Sequence, residues 1–187
     1  MIINKHNLLD INESDIRNET VEISNNVWYI DRAFSYKENI KKIIIPQNVR
    51  RIKKFGFIWC KNLEKVEFRN NDCKIDSSVF ANCENLMEVV LPNNLTKIET
   101  CMFYNCKKLK KVMLPDKLEA IGNASFSGCT ELEELYIPDG VEYIRYLYFQ
   151  ACINLKKIHF HNNIYTYQDL KAYNIIYWKK IKDTKSL

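Results

Sequence analysis

The chain has 187 residues, 47% of them apolar and 27% charged, which suits one globular domain and not an intrinsically disordered segment. Its formal net charge of +5 is unevenly placed: residues 171–187 hold five Lys against one Asp and residues 1–22 hold two basic against five acidic residues. The long middle keeps +4, too thin an excess for a phosphate-binding face. No basic start leads into an apolar stretch and no apolar run approaches the about 18 residues of a membrane helix, so neither a signal peptide nor a transmembrane span is predicted and the expected compartment is the cytoplasm.

Residues 1–22 are acidic and unrepeated and are expected to form an N-terminal cap. From residue 23 to residue 167 a period of 23 residues governs the chain: Phe34, Phe57, Phe80, Phe103, Phe126 and Phe149 recur in step. Cys60, Cys83, Cys106, Cys129 and Cys152 each follow one of these by three, and Ile40, Leu63, Leu86, Leu109, Leu132 and Leu155 hold the next shared position. Then come pairs spaced by two, Ile43/Ile45, Val66/Phe68, Val89/Leu91, Val112/Leu114, Leu135/Ile137 and Ile158/Phe160, whose alternation predicts a short strand buried on one face. Pro46, Pro92, Pro115 and Pro138 stand directly after four of the pairs, where proline ends a strand by removing a ladder donor. Ile52, Ile75, Ile98, Ile121 and Ile144 mark a second apolar segment, with Tyr167 closing the series; the first unit is one residue short between Ile30 and Phe34. A chain that repeats strand, turn, second segment and aromatic corner stacks its coils about 4.8 Å apart, each burying its apolar residues against its neighbours. Beyond the repeat, residues 168–187 are expected to form a C-terminal cap helix and a basic tail. Thr166 with Asp169 resembles a capping box, and Leu170, Tyr173, Ile176, Tyr177 and Ile181 fit one helix face.

Units such as ENLMEVVLPNNLTKIETCMFYNC and TELEELYIPDGVEYIRYLYFQAC resemble the BspA-type (Treponema-type) leucine-rich repeat family, over roughly residues 23–167. The Gly that such repeats commonly carry after the isoleucine survives only at Gly122. The small residue before Phe is present as Ala33 and Gly56 but replaced by Val79, Met102, Ser125 and Tyr148 elsewhere. The resemblance implies a mainly β leucine-rich-repeat solenoid with a strand on the concave side of each coil and short extended or 3-10 segments on the convex side.

Little in the chain points to catalysis. Seven cysteines form an odd count and are read as reduced; five of them stand one per coil, which suits a small side chain filling a tight corner, whereas zinc favours short converging Cys-x-x-Cys spacings. His159 and His161 form a His-x-His pair expected on one side of the last strand, with no third ligand in register, so no metal or other cofactor is assigned. Four scattered glycines make no phosphate cradle, and no nucleophile stands with its base, so the chain reads as a non-enzyme.

The outward strand positions are more informative. One column reads Lys42, Lys65, Glu88, Lys111, Glu134, Lys157 and alternates in sign over its last five members, a ladder expected to pair its own charges. The other reads Ile44, Glu67, Val90, Met113, Tyr136, His159 and places apolar residues toward solvent, three of them consecutive, which predicts a strip for a protein partner rimmed by Lys111, Glu134 and Lys157. Strand propensity alone could also have chosen these residues. A chain of this kind suits a cytoplasmic inhibitor or adaptor, bacterial or phage, with a mobile element as one expected source. The family's adhesin-like members leave a cell-surface role as the alternative, since a chain trimmed of its leader would read the same. A further alternative is nucleic-acid binding by Lys179, Lys180, Lys182 and Lys185 with Tyr177 and Trp178 as stacking groups.

Overall fold

Every 23 residues the chain returns to the same place one coil further on, in a computed structural model that describes residues 2–3, 7–8 and 19–177. Strands of two kinds alternate: β1 (Ile2–Ile3) and β2 (Asn7–Leu8), β3 (Thr20–Ile23) and β4 (Tyr29–Ile30), β5 (Lys42–Ile45) and β6 (Arg51–Ile52). They continue as β7 (Lys65–Phe68) and β8 (Lys74–Ile75), β9 (Glu88–Val90) and β10 (Lys97–Ile98), β11 (Lys111–Met113) and β12 (Ala120–Ile121), β13 (Glu134–Ile137) and β14 (Tyr143–Arg145). The described part closes with β15 (Lys157–Phe160), β16 (Asn163–Tyr165), the helix α1 (Tyr167–Tyr173) and β17 (Ile175–Tyr177). Odd-numbered strands stack in parallel as β1-β3-β5-β7-β9-β11 and as β13-β15, and even-numbered ones as β2-β4-β6-β8 and β10-β12. The register is that of the sequence period, Ile43 beside Val66 and Ile45 beside Phe68. The expected solenoid is therefore the fold.

Two ladders fill the interior. Phe57, Phe80, Phe103, Phe126 and Phe149 are fully buried, and their rings stack nearly parallel with centroids 5.6 to 5.7 Å apart, with Phe34 completing the row at 5.0 Å. Each such ring removes enough apolar surface from water to stabilise the fold by about 1.5–3 kcal/mol. The cysteine column fills the next corner, and each thiol donates to the carbonyl of the Phe 26 residues earlier: Cys60 to Phe34 at 2.8 Å, Cys83 to Phe57 at 3.1 Å, Cys106 to Phe80 at 3.1 Å, Cys129 to Phe103 at 3.2 Å and Cys152 to Phe126 at 2.9 Å. Each of these carbonyls also accepts a backbone amide three residues on, as in Cys83 N–H to Phe80 O at 3.2 Å, so the small buried thiol occupies the oxygen's second acceptor site.

The same corner turns through the left-handed region. Tyr36, Trp59, Asn82, Asn105, Gly128 and Ala151 all have φ between 58° and 78°. This aims the amides of the first five at carbonyls of the following coil, as in Asn82 N–H to Tyr104 O at 2.7 Å and Gly128 N–H to Gln150 O at 2.7 Å. Gly128 fits twice over, since its φ is 78° and a Cβ there would lie 3.2 Å from Asn105 Cα.

Ladder length on the long-strand face follows the residue after the strand. Arg69 has an amide, which donates to Ile45 O at 2.9 Å, and β5 and β7 pair over four residues. His161 stands at that position after β15, and β13 and β15 also pair over four. Pro92 and Pro115 lack the donor, and their ladders shrink to two and three pairs. After β13 stands Pro138, and no ladder forms between β11 and β13. The same two coils stay fastened at the aromatic corner, where Ala124, Phe126 and Gly128 donate to Leu147, Tyr148 and Gln150.

The ends differ in detail from the sequence expectation. The boundary placed at residue 22 falls inside β3, which pairs with β5 one repeat on, while β1 and β2 pair with β3 and β4; the described part of the first 22 residues thus extends the stack. At the other end α1 has the expected capping box, Thr166 Oγ1 accepting from Asp169 N at 3.2 Å and Thr166 N donating to Asp169 Oδ2 at 2.7 Å. The helix is shorter than expected. Asn174 leaves it at φ 61°, and Ile176 and Tyr177 lie in β17, antiparallel to β14, where β14 offers them backbone partners that a longer helix would forgo. Tyr167 does not continue the isoleucine series: it opens α1, its hydroxyl 3.0 Å from that of Tyr146 and accepting from Ala151 N at 3.1 Å. Ile181 and Trp178 lie outside the described residues.

Candidate functional site

Because side chains alternate along β9, β11, β13 and β15, burying Val89, Val112, Leu135 and Ile158 turns their following residues outward. Val90, Met113 and Tyr136 are 51, 52 and 61% exposed, and they form one row across three coils, as the sequence predicts. His159 ends the row with its ring flat on Tyr136, centroids 4.0 Å apart and planes within 6°. The other end is different. Ile44 is only half-buried between Glu22 and Glu67, its register neighbours on β3 and β7. Both carboxylates are drawn to Arg69, at 3.1 and 4.0 Å, and Glu67 also meets Lys42 at 3.2 Å, so an ion cluster interrupts the strip before Val90.

The charged column does not pair itself as expected. Among its last five members only Lys157 and Glu134 approach, at 3.9 Å; Lys65, Glu88 and Lys111 make no ion pair among the described residues. Side chains one strand apart in register leave lysine free to extend into water, and an exposed pair returns too little to hold it. Glu134 is instead bound diagonally, 2.6 Å from His159 Nε2, and accepts from the Tyr136 hydroxyl at 3.3 Å. The His159 hydrogen bond, helped by the Lys157 charge, holds the Glu134 carboxyl below the ordinary carboxylate range. Desolvation and the Glu134 charge raise the Tyr136 hydroxyl.

A hollow of about 510 Å³ opens where β11 and β13 fail to pair, lined by Lys110, Lys111, Met113, Leu114, Glu134 and Tyr136. The exposed row and the break in the ladder thus coincide. His159 and His161 do not share a side: His161 lies beyond β15 with φ 46°, is buried, and sets Nε2 2.7 Å from Val141 O and Nδ1 3.4 Å from Asp139. All seven cysteines are free thiols; burial pushes Cys73 and Cys152 up to about 12 and raises Cys83, Cys106 and Cys129 as well. Of the nucleic-acid alternative, Tyr177 enters β17 and Trp178, Lys179, Lys180, Lys182 and Lys185 lie outside the described residues.

Sequence reading missed a second exposed group at the aromatic corner of the early coils. Tyr36 and Trp59 stack there at 6.5 Å, Arg32 and Lys54 sit 5.2 and 4.8 Å from the Phe55 ring centroid, and a hollow of about 250 Å³ lies between Tyr36 and Phe55. The signal was available: Trp59 and Tyr36 fill the column that later coils give to Asn82, Asn105 and Gly128, small or polar residues suited to positive φ.

Comparison with known proteins agrees with the geometry. The profile of the BspA type Leucine rich repeat region, six copies long, matches residues 12–132 and, overlapping, 50–176. A leucine rich repeat protein of T. pallidum is similar in structure with a TM-score of 0.68 and 26% identity, over 77% of this chain and 69% of that one. A leucine-rich repeat protein of Bacteroides ovatus gives 0.65 and 32%, over 74% of this chain and 36% of its own. A leucine rich cell surface protein of Faecalibacterium prausnitzii gives 0.64 and 29%, over 79% and 42%. The chain thus spans about two thirds of the first protein and under half of the other two. No curated protein matches. No helix among the described residues is long and apolar enough to cross a membrane.

Proposed function

This chain belongs to the BspA type leucine-rich repeat family, a repeat fold of the protein-interaction type, and on that premise we propose that it binds a protein partner through the row Val90, Met113, Tyr136 and His159 and performs no catalysis. The observation that carries the reading is the three consecutive side chains, each more than half exposed, on a strand face whose other residues are mostly charged. Rigid apolar and aromatic groups flanked by Lys111, Glu134 and Lys157 have the anatomy of an interface centre with a polar rim. Strand propensity explains β-branched or aromatic choices singly, but not an unbranched Met between them over a hollow.

The test is a triple variant, Val90→Lys, Met113→Glu and Tyr136→Lys, with charges alternating so that the new side chains do not repel along the stack. Partner capture is expected to fall at least about 100-fold, since central contacts each carry about 2 kcal/mol or more. The thermal midpoint should move by no more than a few degrees. Undiminished capture by a folded variant refutes the strip.

Of two settings for such a binder, a cytoplasmic inhibitor or adaptor and a surface adhesin, the second has an observation in its favour: the similarity to the F. prausnitzii protein described as a cell surface protein. Protease shaving of intact source cells distinguishes them, since a surface protein is digested and a cytoplasmic one is spared.

A further inference from the structure

At the aromatic corner, the early coils accept backbone strain that the later coils relieve. Two columns turn through the left-handed region there. One reads Arg32, Phe55, Ser78, Cys101 and Ala124, at φ 50° to 69°, and the other Tyr36, Trp59, Asn82, Asn105 and Gly128, at 58° to 78°. The fold needs the turn and not the size of the side chain, since Ser, Cys, Ala, Asn and Gly make it further along the stack. Arg32, Phe55, Tyr36 and Trp59 make it with large side chains, for which that conformation is costly. Strain confined in this way to two neighbouring coils is the mark of a binding site.

Arg32, Tyr36 and Phe55 line a hollow of about 250 Å³ together with Ser35 and Ile58, and Trp59 backs Tyr36 with its ring parallel to within 7°. The hollow is smaller than the about 300–1,000 Å³ of small-molecule pockets, so it suits one side chain of a larger partner. The charge around it is uncompensated. Nearby, Lys41, Arg51, Lys53 and Lys61 each hold a carboxylate at 2.9 to 3.0 Å. Arg32 and Lys54 make no ion pair among the described residues and lie over the Phe55 ring, 5.2 and 4.8 Å from its centroid. A ring face steadies a cation without neutralising it, so two positive charges stand ready beside apolar walls.

We infer that this corner is a second protein-docking site, taking a glutamate side chain from an acidic segment of a partner, with its methylenes between Tyr36 and Phe55 and its carboxylate against Arg32 and Lys54. The site shares no residue with the strip and does not depend on it.

Panning a random heptapeptide library on the full chain, with depletion on an Arg32→Glu variant, and titrating the enriched sequence as a capped synthetic peptide tests the inference. Enriched peptides should carry Glu. Its replacement by Gln should weaken binding about tenfold, as should Arg32→Ala or Lys54→Ala, both at exposed positions. The triple variant of the strip should bind the peptide as the native chain does. Tyr36→Asn gives that turn the residue Asn82 and Asn105 supply to theirs, and Tyr36 is 67% exposed; the change should weaken binding by a similar factor and leave the urea midpoint unchanged or higher. No enrichment, enriched peptides without acid, or indifference to the Gln replacement overturns the site. A lower midpoint for Tyr36→Asn, which would make the ring a packing residue, overturns it as well. So does self-association of the chain that Arg32→Glu abolishes, which would seat a second copy there, or tighter binding of an oligothymidylate at the same residues. Peptide binding that appears only once Asp10, Glu13 and Asp15 are neutralised would give the site to the chain's own acids and overturns it equally.

Discussion

Glu134 is where three outward neighbours meet, and they make it hold its charge further into acid than an ordinary carboxylate does. Its carboxyl is depressed below the ordinary value of 4.5, chiefly by the His159 hydrogen bond. The folded form therefore gains from this contact at pH above that value and loses the gain as pH falls through the lower folded one. A carbon-detected titration of the Glu134 side chain should give a midpoint below 4.5, and His159→Ala should move it back toward 4.5; an unmoved midpoint rules out the contact. Sequence placed Glu134, Tyr136 and His159 on the outward face correctly, because alternation along a strand leaves no choice. It did not reveal the diagonal bond, because which rotamer reaches across coils depends on the ring stacked beneath it. The histidine pair was misread for a related reason: alternation holds only while the strand lasts, and the chain leaves β15 at His161 with positive φ.

At the scale of elements, strands were legible and their pairing was not. An apolar pair every 23 residues fixes where each strand lies, while the full four-pair ladder forms where the following residue is Arg69 or His161 and is shorter or absent where it is Pro92, Pro115 or Pro138. The cap helix was legible at its start and not at its end. Thr166 and Asp169 form a local signal, but the stop at Asn174 is set by the distant edge of β14 that recruits β17. Since α1 has only seven residues, its start matters disproportionately. Thr166→Ala should lower stability by about 1 kcal/mol in a denaturant titration, with Thr166→Ser near neutral. Equal losses in the two variants would assign the effect to something other than the cap.

The whole molecule is close to one-dimensional: each coil touches the one before and the one after, so stability is a sum of coil and interface terms and an end left bare is weakest. β16, α1 and β17 cover the last coil, with Leu170 fully buried beneath the helix and the Tyr146 and Tyr167 hydroxyls 3.0 Å apart. Ending the chain after residue 162 should expose Phe160 and the Phe149 end of the ring stack and lower the melting temperature. Amide exchange read by mass spectrometry should accelerate first around residues 140–160, while coils near Phe57 keep their protection; uniform acceleration along the chain would contradict the one-dimensional picture. The thiol ladder has a consequence for anyone watching that process. Between Cys60 and Cys152 every coil carries its own sealed sulfhydryl, fully shielded in the native stack. The protein is thus built with an evenly spaced set of internal timers, and the order in which an alkylating reagent marks Cys152, Cys129, Cys106, Cys83 and Cys60 records the order in which its coils come apart.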